Sequence, residues 1–369
     1  MIIASALAVP LAAILAAGLA YVISMIVVSK SLLPDQPNAR SSHQIATPRA
    51  GGFAIVGGFA AAMTLLIVLK GANAETAGYI KAIGLGFGAF AFGAMDDMRV
   101  IGARLKFIFQ VVIALGFIAV FGPVAQIPAP FVGEIDLGVA AVPLTAFWIV
   151  AFMNAFNFMD GINGIAGACA LFFLSAFAVT AAGGVVWAAP AIVLAAALFG
   201  YLPLNFGEGR LFMGDCGSQF IGFMIAALAV LAGNGADAPV SRMFAPIAFL
   251  PFIVDVAFTL AHRLQRGRNV FQAHNEHIYQ LLVRLGRSHQ FVATLYLTLT
   301  VLSSSIAIFV NSRPAGIQYA AALTLMLGFA AFSFAVYRRA ERAGLLRAEE
   351  IKQAPPPLEE PAQFPAAAE

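Results

Sequence analysis

Apolar runs of about 20 residues, the length a helix needs to cross a bilayer, recur along nearly the whole chain with short polar loops between them. They fall at 3–27, 50–69, 79–95, 106–122, 138–156, 163–181, 184–203, 217–233, 243–261, 291–311 and 316–336. None alternates polar with apolar residues as a barrel strand would. The first run has no basic n-region and outlasts the apolar segment of a signal peptide, so it reads as a retained helix. Composition agrees: 61% of the 369 residues are hydrophobic and 11% are charged, whereas a soluble domain carries about 25% charge. The chain reads as an all-α polytopic membrane protein with about eleven spans, ten at the least. Residues 1–337 form the membrane domain and 338–369 a tail, whose end, IKQAPPPLEEPAQFPAAAE, is expected to be disordered.

Charge gives the orientation. Lys70, Lys81, Arg242 and Arg313 stand on one side; all the others of the 21 Lys and Arg fall in the tail or in the loops 29–51, 96–106, 154–163, 204–216 and 262–290. The positive-inside rule makes those loops cytoplasmic and the N-terminus external. The net charge of +3 then reflects topology and gives no argument for a nucleic-acid partner. Cys169 and Cys216 are too few, and too deep or on the wrong face, for a disulfide framework.

This topology gathers Asp96, Asp97, Asn154, Asn157, Asp160, Asn163, Glu208, Asp215, His274 and His277 at cytoplasmic helix ends, while the external loops hold little beyond Glu75, Glu134, Asp136 and Asp237. Each cluster has two readings. Asp96 and Asp97 are either a solvated helix end or carboxylates kept at the hydrocarbon edge because a cation pairs with them. In NAFNFMDGINGIAG (154–167), Asn154, Asn157 and Asp160 share one side of a helical turn. The glycines there serve either a ligand's approach or close helix packing. Asp215, in MGDCG, either caps the following helix or joins Asp96, Asp97 and Asp160 as a hard oxygen ligand for Mg²⁺ or Mn²⁺. The loop HRLQRGRNVFQAHNEHIYQLLVRLGRSHQF (262–291) carries five arginines and four of the five histidines. Its basic residues are topology signals or anion binders, and no third ligand stands at zinc spacing from His274 and His277.

Five blocks in order, HQIATPRAGG (43–52), GAMDD (93–97), NAFNFMDGINGIAG (154–167), RLFMGDCGSQFIGF (210–223) and AHNEHIYQLLVRLGRSH (273–289), resemble the polyprenyl-phosphate N-acetylhexosamine-1-phosphate transferases, relatives of the phospho-N-acetylmuramoyl-pentapeptide transferase. The likeness covers roughly 29–335. HNEH followed by IYQ is closer to the enzymes that start O-antigen and related lipopolysaccharide glycans. Asn163 stands where many relatives have a second acid.

The resemblance implies a multi-pass enzyme of the bacterial inner membrane. It would transfer a sugar 1-phosphate from a UDP-N-acetylhexosamine to undecaprenyl phosphate among membrane lipid, with Mg²⁺ or Mn²⁺ as cofactor; a homodimer stays open. Asp215, with Asp96, would hold the metal. Asp96 and Asp97 would orient the acceptor phosphate or take its proton. Asn157, Asp160, Gly161 and Asn163 would form the donor site, His274 and His277 would contact the diphosphate, and Arg49, Lys106 and Arg268 would pair with phosphate. A multi-span transporter for an anionic substrate is the rival. It is disfavoured because no inverted repeat is visible and the acids crowd one face, Asp255 excepted.

Overall fold

The computed structural model describes residues 2–35, 46–99, 101–182, 186–207, 209–234, 238–270, 272 and 274–346. Parts of the loops 29–51, 96–106, 204–216 and 262–290, including Glu208, lie outside that set, as do Asp237 and the tail from 347 onward. The helices in chain order are α1 (Ile2–Ser29), α2 (Gly51–Lys70), α3 (Ala74–Met98), α4 (Ala103–Phe121), α5 (Ala141–Met159), α6 (Ile165–Ala181) and α7 (Ala188–Asn205). They continue with α8 (Gly214–Gly233), α9 (Phe244–Ala248), α10 (Leu250–Gln265), α11 (Ile278–Arg284), α12 (His289–Val310) and α13 (Ala315–Arg342). Two short antiparallel hairpins complete the described fold: β1 (Pro34–Asp35) pairs with β2 (Thr47–Pro48), and β3 (Gln126–Ala129) with β4 (Gly133–Asp136).

The protein is therefore an all-α multi-pass membrane protein. Among the described residues nine helices are long and apolar enough to span: α1 to α5, α7, α8, α12 and α13. The eleven runs of the sequence map onto these nine and onto two departures from the expected pattern. α6 has only 17 residues. The run 243–261 is broken at Phe249 into α9 and α10, because Pro251 opens α10, where its missing N–H is harmless. α10 then carries Asp255, His262 and Arg263 and is amphipathic rather than apolar throughout.

α8 is the central helix: 89% of its apolar stretch is buried, against 22% for the peripheral α4 and α13. Small residues make this burial feasible. Gly222 lies against the Cα of Met153 on α5, and the carbonyl of Ala226 accepts the Trp148 indole N–H at 3.2 Å. With no hydrophobic drive between helices in lipid, such close backbone approach supplies the packing. α8 consequently delivers its N-terminus into the middle of one end of the bundle, between the start of α2 and the end of α3.

Candidate active site

The site is built on backbone pairing between two of the sequence blocks. In the segment leading into α2, the Pro48 carbonyl accepts from Phe212 N at 2.8 Å, and the N–H groups of Gly51 and Gly52 donate to Phe212 O and Met213 O at 2.9 and 2.7 Å. Gly214 follows with φ 74°, and a Cβ there would overlap the Arg49 carbonyl; only glycine turns the chain this tightly into α8. From the end of α3, the Asp97 carboxylate accepts the N–H groups of Asp215 and Cys216, both at 2.9 Å. This satisfies two of the orphan donors of α8 and places a negative charge at the positive end of its dipole. Arg49 closes the arrangement with an ion pair to Asp97 Oδ1 at 2.7 Å and a longer one to Asp35 at 3.6 Å.

Beside this cap, Asp96 faces a different partner. The Lys106 ammonium lies 2.5 Å from Asp96 Oδ2 and 3.0 Å from Asp215 Oδ2, bridging the two carboxylates. Asp96 Oδ1 accepts Ile101 N at 2.8 Å, and Asp215 Oδ1 accepts the Asn157 amide at 2.7 Å, which also donates to Ser218 at 2.8 Å. Behind them a layer of Gln110, Asn154 and Gln219 is knit by bonds of 2.6 to 3.3 Å.

A cavity of about 290 Å³ opens against this cluster, lined among others by Asp35, Arg49, Asn157, Asp160, Asn205, Asp215 and Gln280, with Gly161 and Asn163 on its wall. Asp160 sits just past the end of α5. Burial pushes its carboxyl well above the usual carboxylate range, the charges of Asp215 and Asp97 add to the rise, and Arg49 partly offsets it. For Arg49, the charges of Asp97, Asp215 and Asp35 outweigh the cost of desolvation and keep the guanidinium firmly protonated. A Cβ on Gly161 would run into the Tyr279 hydroxyl, which donates to Phe158 O at 2.9 Å. This glycine is where α11 docks against the cavity wall, and Gln280 reaches the cavity from the same helix.

The histidine block is held by partners of its own. Asp255 on α10 accepts from Ile278 N at 3.0 Å, Tyr279 N at 3.1 Å and the Tyr296 hydroxyl at 2.5 Å, and lies 3.1 Å from His277 Nδ1. His277 is buried, 3% exposed, against Asp255 and does not line the cavity. Arg268 likewise turns from the cavity to Glu276, at 2.5 Å, which the fully buried Arg263 also binds at 2.8 Å. His274 is only partly covered, its ring tilted 33° to that of His277 with centroids 4.9 Å apart. Burial and the charges of His277, Arg263 and Arg268 push its pKa down to about 3, so the imidazole is neutral near pH 7.

The structure thus brings Arg49, Asp96, Asp97, Lys106, Asn157, Asp160, Gly161, Asn163 and Asp215 together and leaves His277 and Arg268 in an adjoining structural cluster. Asp35, Asn205, Gln110, Gln219 and Gln280 join the site or its support without having been singled out from the sequence. Gln280 and Gln219 had a local signal, in the IYQ that follows HNEH and in the GSQ of the block 210–223.

Among the described residues no group of three His, Cys, Asp or Glu side chains forms a ready metal cage. What they offer is a pair of hard carboxylates, Asp96 and Asp215, already converging on a cation, the Lys106 ammonium. That donor set suits Mg²⁺ or Mn²⁺, which take one or two carboxylates and complete their shell with substrate phosphate and water.

Residues 79–233 match the model of glycosyl transferase family 4. The chain is 33% identical to a probable undecaprenyl-phosphate N-acetylglucosaminyl 1-phosphate transferase of Bacillus subtilis, over 71% of this chain and 73% of the relative. It is 30% identical to a decaprenyl-phosphate N-acetylglucosaminephosphotransferase of Mycobacterium tuberculosis H37Rv, over 75% and 76%. It is 25% identical to an undecaprenyl-phosphate alpha-N-acetylglucosaminyl 1-phosphate transferase of Escherichia coli K12, over 85% and 86%. On the motifs, the helical fold and these relatives together, the chain belongs to glycosyl transferase family 4, the polyprenyl-phosphate N-acetylhexosamine-1-phosphate transferases.

Proposed function

We propose that this protein transfers N-acetylhexosamine 1-phosphate from a UDP-sugar to undecaprenyl phosphate on the cytoplasmic face of the bacterial inner membrane. The observation that carries this reading is a cavity lined by Arg49, Asp160 and Asp215, with Lys106 and Asp96 beside it, at one end of an otherwise apolar bundle. A soluble nucleotide and a lipid phosphate meet only at such a boundary. An oxygen of the lipid phosphate bonds to the donor's β-phosphorus, the bond from that phosphorus to the bridging oxygen breaks, and UMP leaves with the electron pair. The acceptor phosphate is mostly ionised near pH 7, so direct attack needs no strong base and is favoured over a carboxylate intermediate.

Asp215 and Asp96 would hold the divalent ion, which when bound neutralises charge developing on the diphosphate. Asp97 holds the start of α8 and so orients Asp215. Arg49 presents fixed positive charge to the cavity, and Asn157, Asp160, Gly161 and Asn163 form its donor wall. His274, neutral and partly exposed, is placed to hydrogen-bond a ligand rather than to attract one by charge. A transport pathway is a poorer use of these groups, because Asp255, which stands within α10 away from its ends, is consumed by hydrogen bonds to Thr259, His277, Ile278, Tyr279 and Tyr296.

The relatives' names point to N-acetylglucosamine as the sugar, and users of its 6-deoxy analogues belong to the same reading. A buried group that bonds the acetamido carbonyl or N–H would reject a donor lacking it strongly, whereas an apolar contact at carbon 6 discriminates weakly. Comparing UDP-N-acetylglucosamine, its 6-deoxy epimers and UDP-glucose as donors tests this assignment. Use of UDP-glucose as well as the N-acetylated donors would refute recognition of the amino sugar.

A further inference from the structure

We infer that Lys106 is a built-in counter-cation that must leave Asp96 and Asp215 before they accept a divalent ion, so that metal and donor diphosphate load the site together. The inference deepens the proposed function and rests on it for the identity of the diphosphate. Its observation is the bridge itself, with the ammonium 2.5 Å from one carboxylate and 3.0 Å from the other. Helix stability does not explain where this lysine stands. It lies in the N-terminal part of α4, where no acid occupies the first turn and where a cation opposes the helix dipole.

Charge balance decides the coupling. Asp96, Asp215 and Lys106 together carry one net negative charge. Lys106 cannot share the pair with a divalent ion without facing a second cation at close range, a repulsion that is strong between groups this largely buried. When the ion arrives with a diphosphate, the net charge returns to its starting value and the freed ammonium gains phosphate oxygens as partners. Asp96 and Asp215 stay in position through the exchange, because the Ile101 N–H and the Asn157 amide hold their other oxygens.

The test is Mn²⁺ binding to the full-length protein in detergent, read from the loss of the free-ion electron paramagnetic resonance signal. Wild type, Lys106→Met and Lys106→Gln are compared with and without UDP-N-acetylglucosamine, and UMP release is followed separately. In wild type the nucleotide sugar should tighten Mn²⁺ binding at least about tenfold, and either variant should bind Mn²⁺ alone at least about tenfold more tightly than wild type, within the usual range of coupling between sites. Coupling to the nucleotide should shrink in both variants. Unchanged or weaker Mn²⁺ affinity in folded variants of both kinds would overturn the inference. The metal-only arm needs no donor, so a failure of the functional reading shows itself independently, as absent UMP release from wild type.

Discussion

Asp97 accepts the backbone N–H of Asp215 at 2.9 Å, so a carboxylate at the end of one membrane helix sets the position of a carboxylate at the start of another. Its neighbour Asp96 makes no such bond and shares Lys106 with Asp215 instead. The two adjacent aspartates therefore take different partners, Asp97 the start of α8 and Asp96 the Lys106 ammonium. Asp97→Ala should lower stability by about 0.5–2 kcal/mol, the usual cost of a lost helix cap, and more because Arg49 then keeps only its longer ion pair to Asp35. It should also weaken Mn²⁺ binding. An Asp97→Ala variant with wild-type melting temperature and metal affinity would show that the cap does not position Asp215.

Asp215→Asn retains an acceptor for the Asn157 amide but removes the charge that faces Lys106. Turnover should fall by about 10²-fold or more, the scale of losing one strong electrostatic contact in a transition state. Membrane insertion should be unaffected. Rates are to be measured at limiting and saturating Mg²⁺, and a wild-type rate in this variant would remove Asp215 from the reaction.

His274 has its folded-state pKa depressed from 6.5 to about 3. The folded protein thus binds fewer protons there than the unfolded chain between those values, and the group's contribution to stability is full above pH 6.5 and declines as pH falls. Melting temperatures of wild type and His274→Gln at pH 7.5 and pH 5 should show a smaller acid-side loss in the variant. An equal loss in both would mean that His274 titrates normally.

Topology has its own check. The loop 262–290 is assigned to the cytoplasm and the turn between α2 and α3 to the outside. A single cysteine at Gln265 should resist a membrane-impermeant thiol reagent in intact cells, and one at Asn73 should react. The reverse labelling would put the cavity on the face without cytosolic UDP-sugar.

Much of this arrangement is legible in the sequence because membrane solvent restricts the choices: apolar length marks the helices, and charged groups at their ends stand out. The break in the ninth run also had a visible cause in Pro251. The difference between Asp96 and Asp97 was not legible, since it arises from which way each side chain leaves the last turn of α3. The resemblance implies phosphate contacts for His277 and Arg268, and here they face Asp255 and Glu276. Their partners, Asp255 and Glu276, are set by how α11 folds back across the end of α10, over a separation of 22 residues between His277 and Asp255, and no periodicity reports that.

The central claim is transfer of a sugar phosphate, and the leaving group identifies it most directly. Purified protein incubated with undecaprenyl phosphate, UDP-N-acetylglucosamine and Mg²⁺ should release UMP in step with a diphosphate-linked sugar lipid, and omitting the lipid phosphate should stop both. Release of UDP with a monophosphate-linked lipid, or no nucleotide product at all from well-folded protein, would contradict the account.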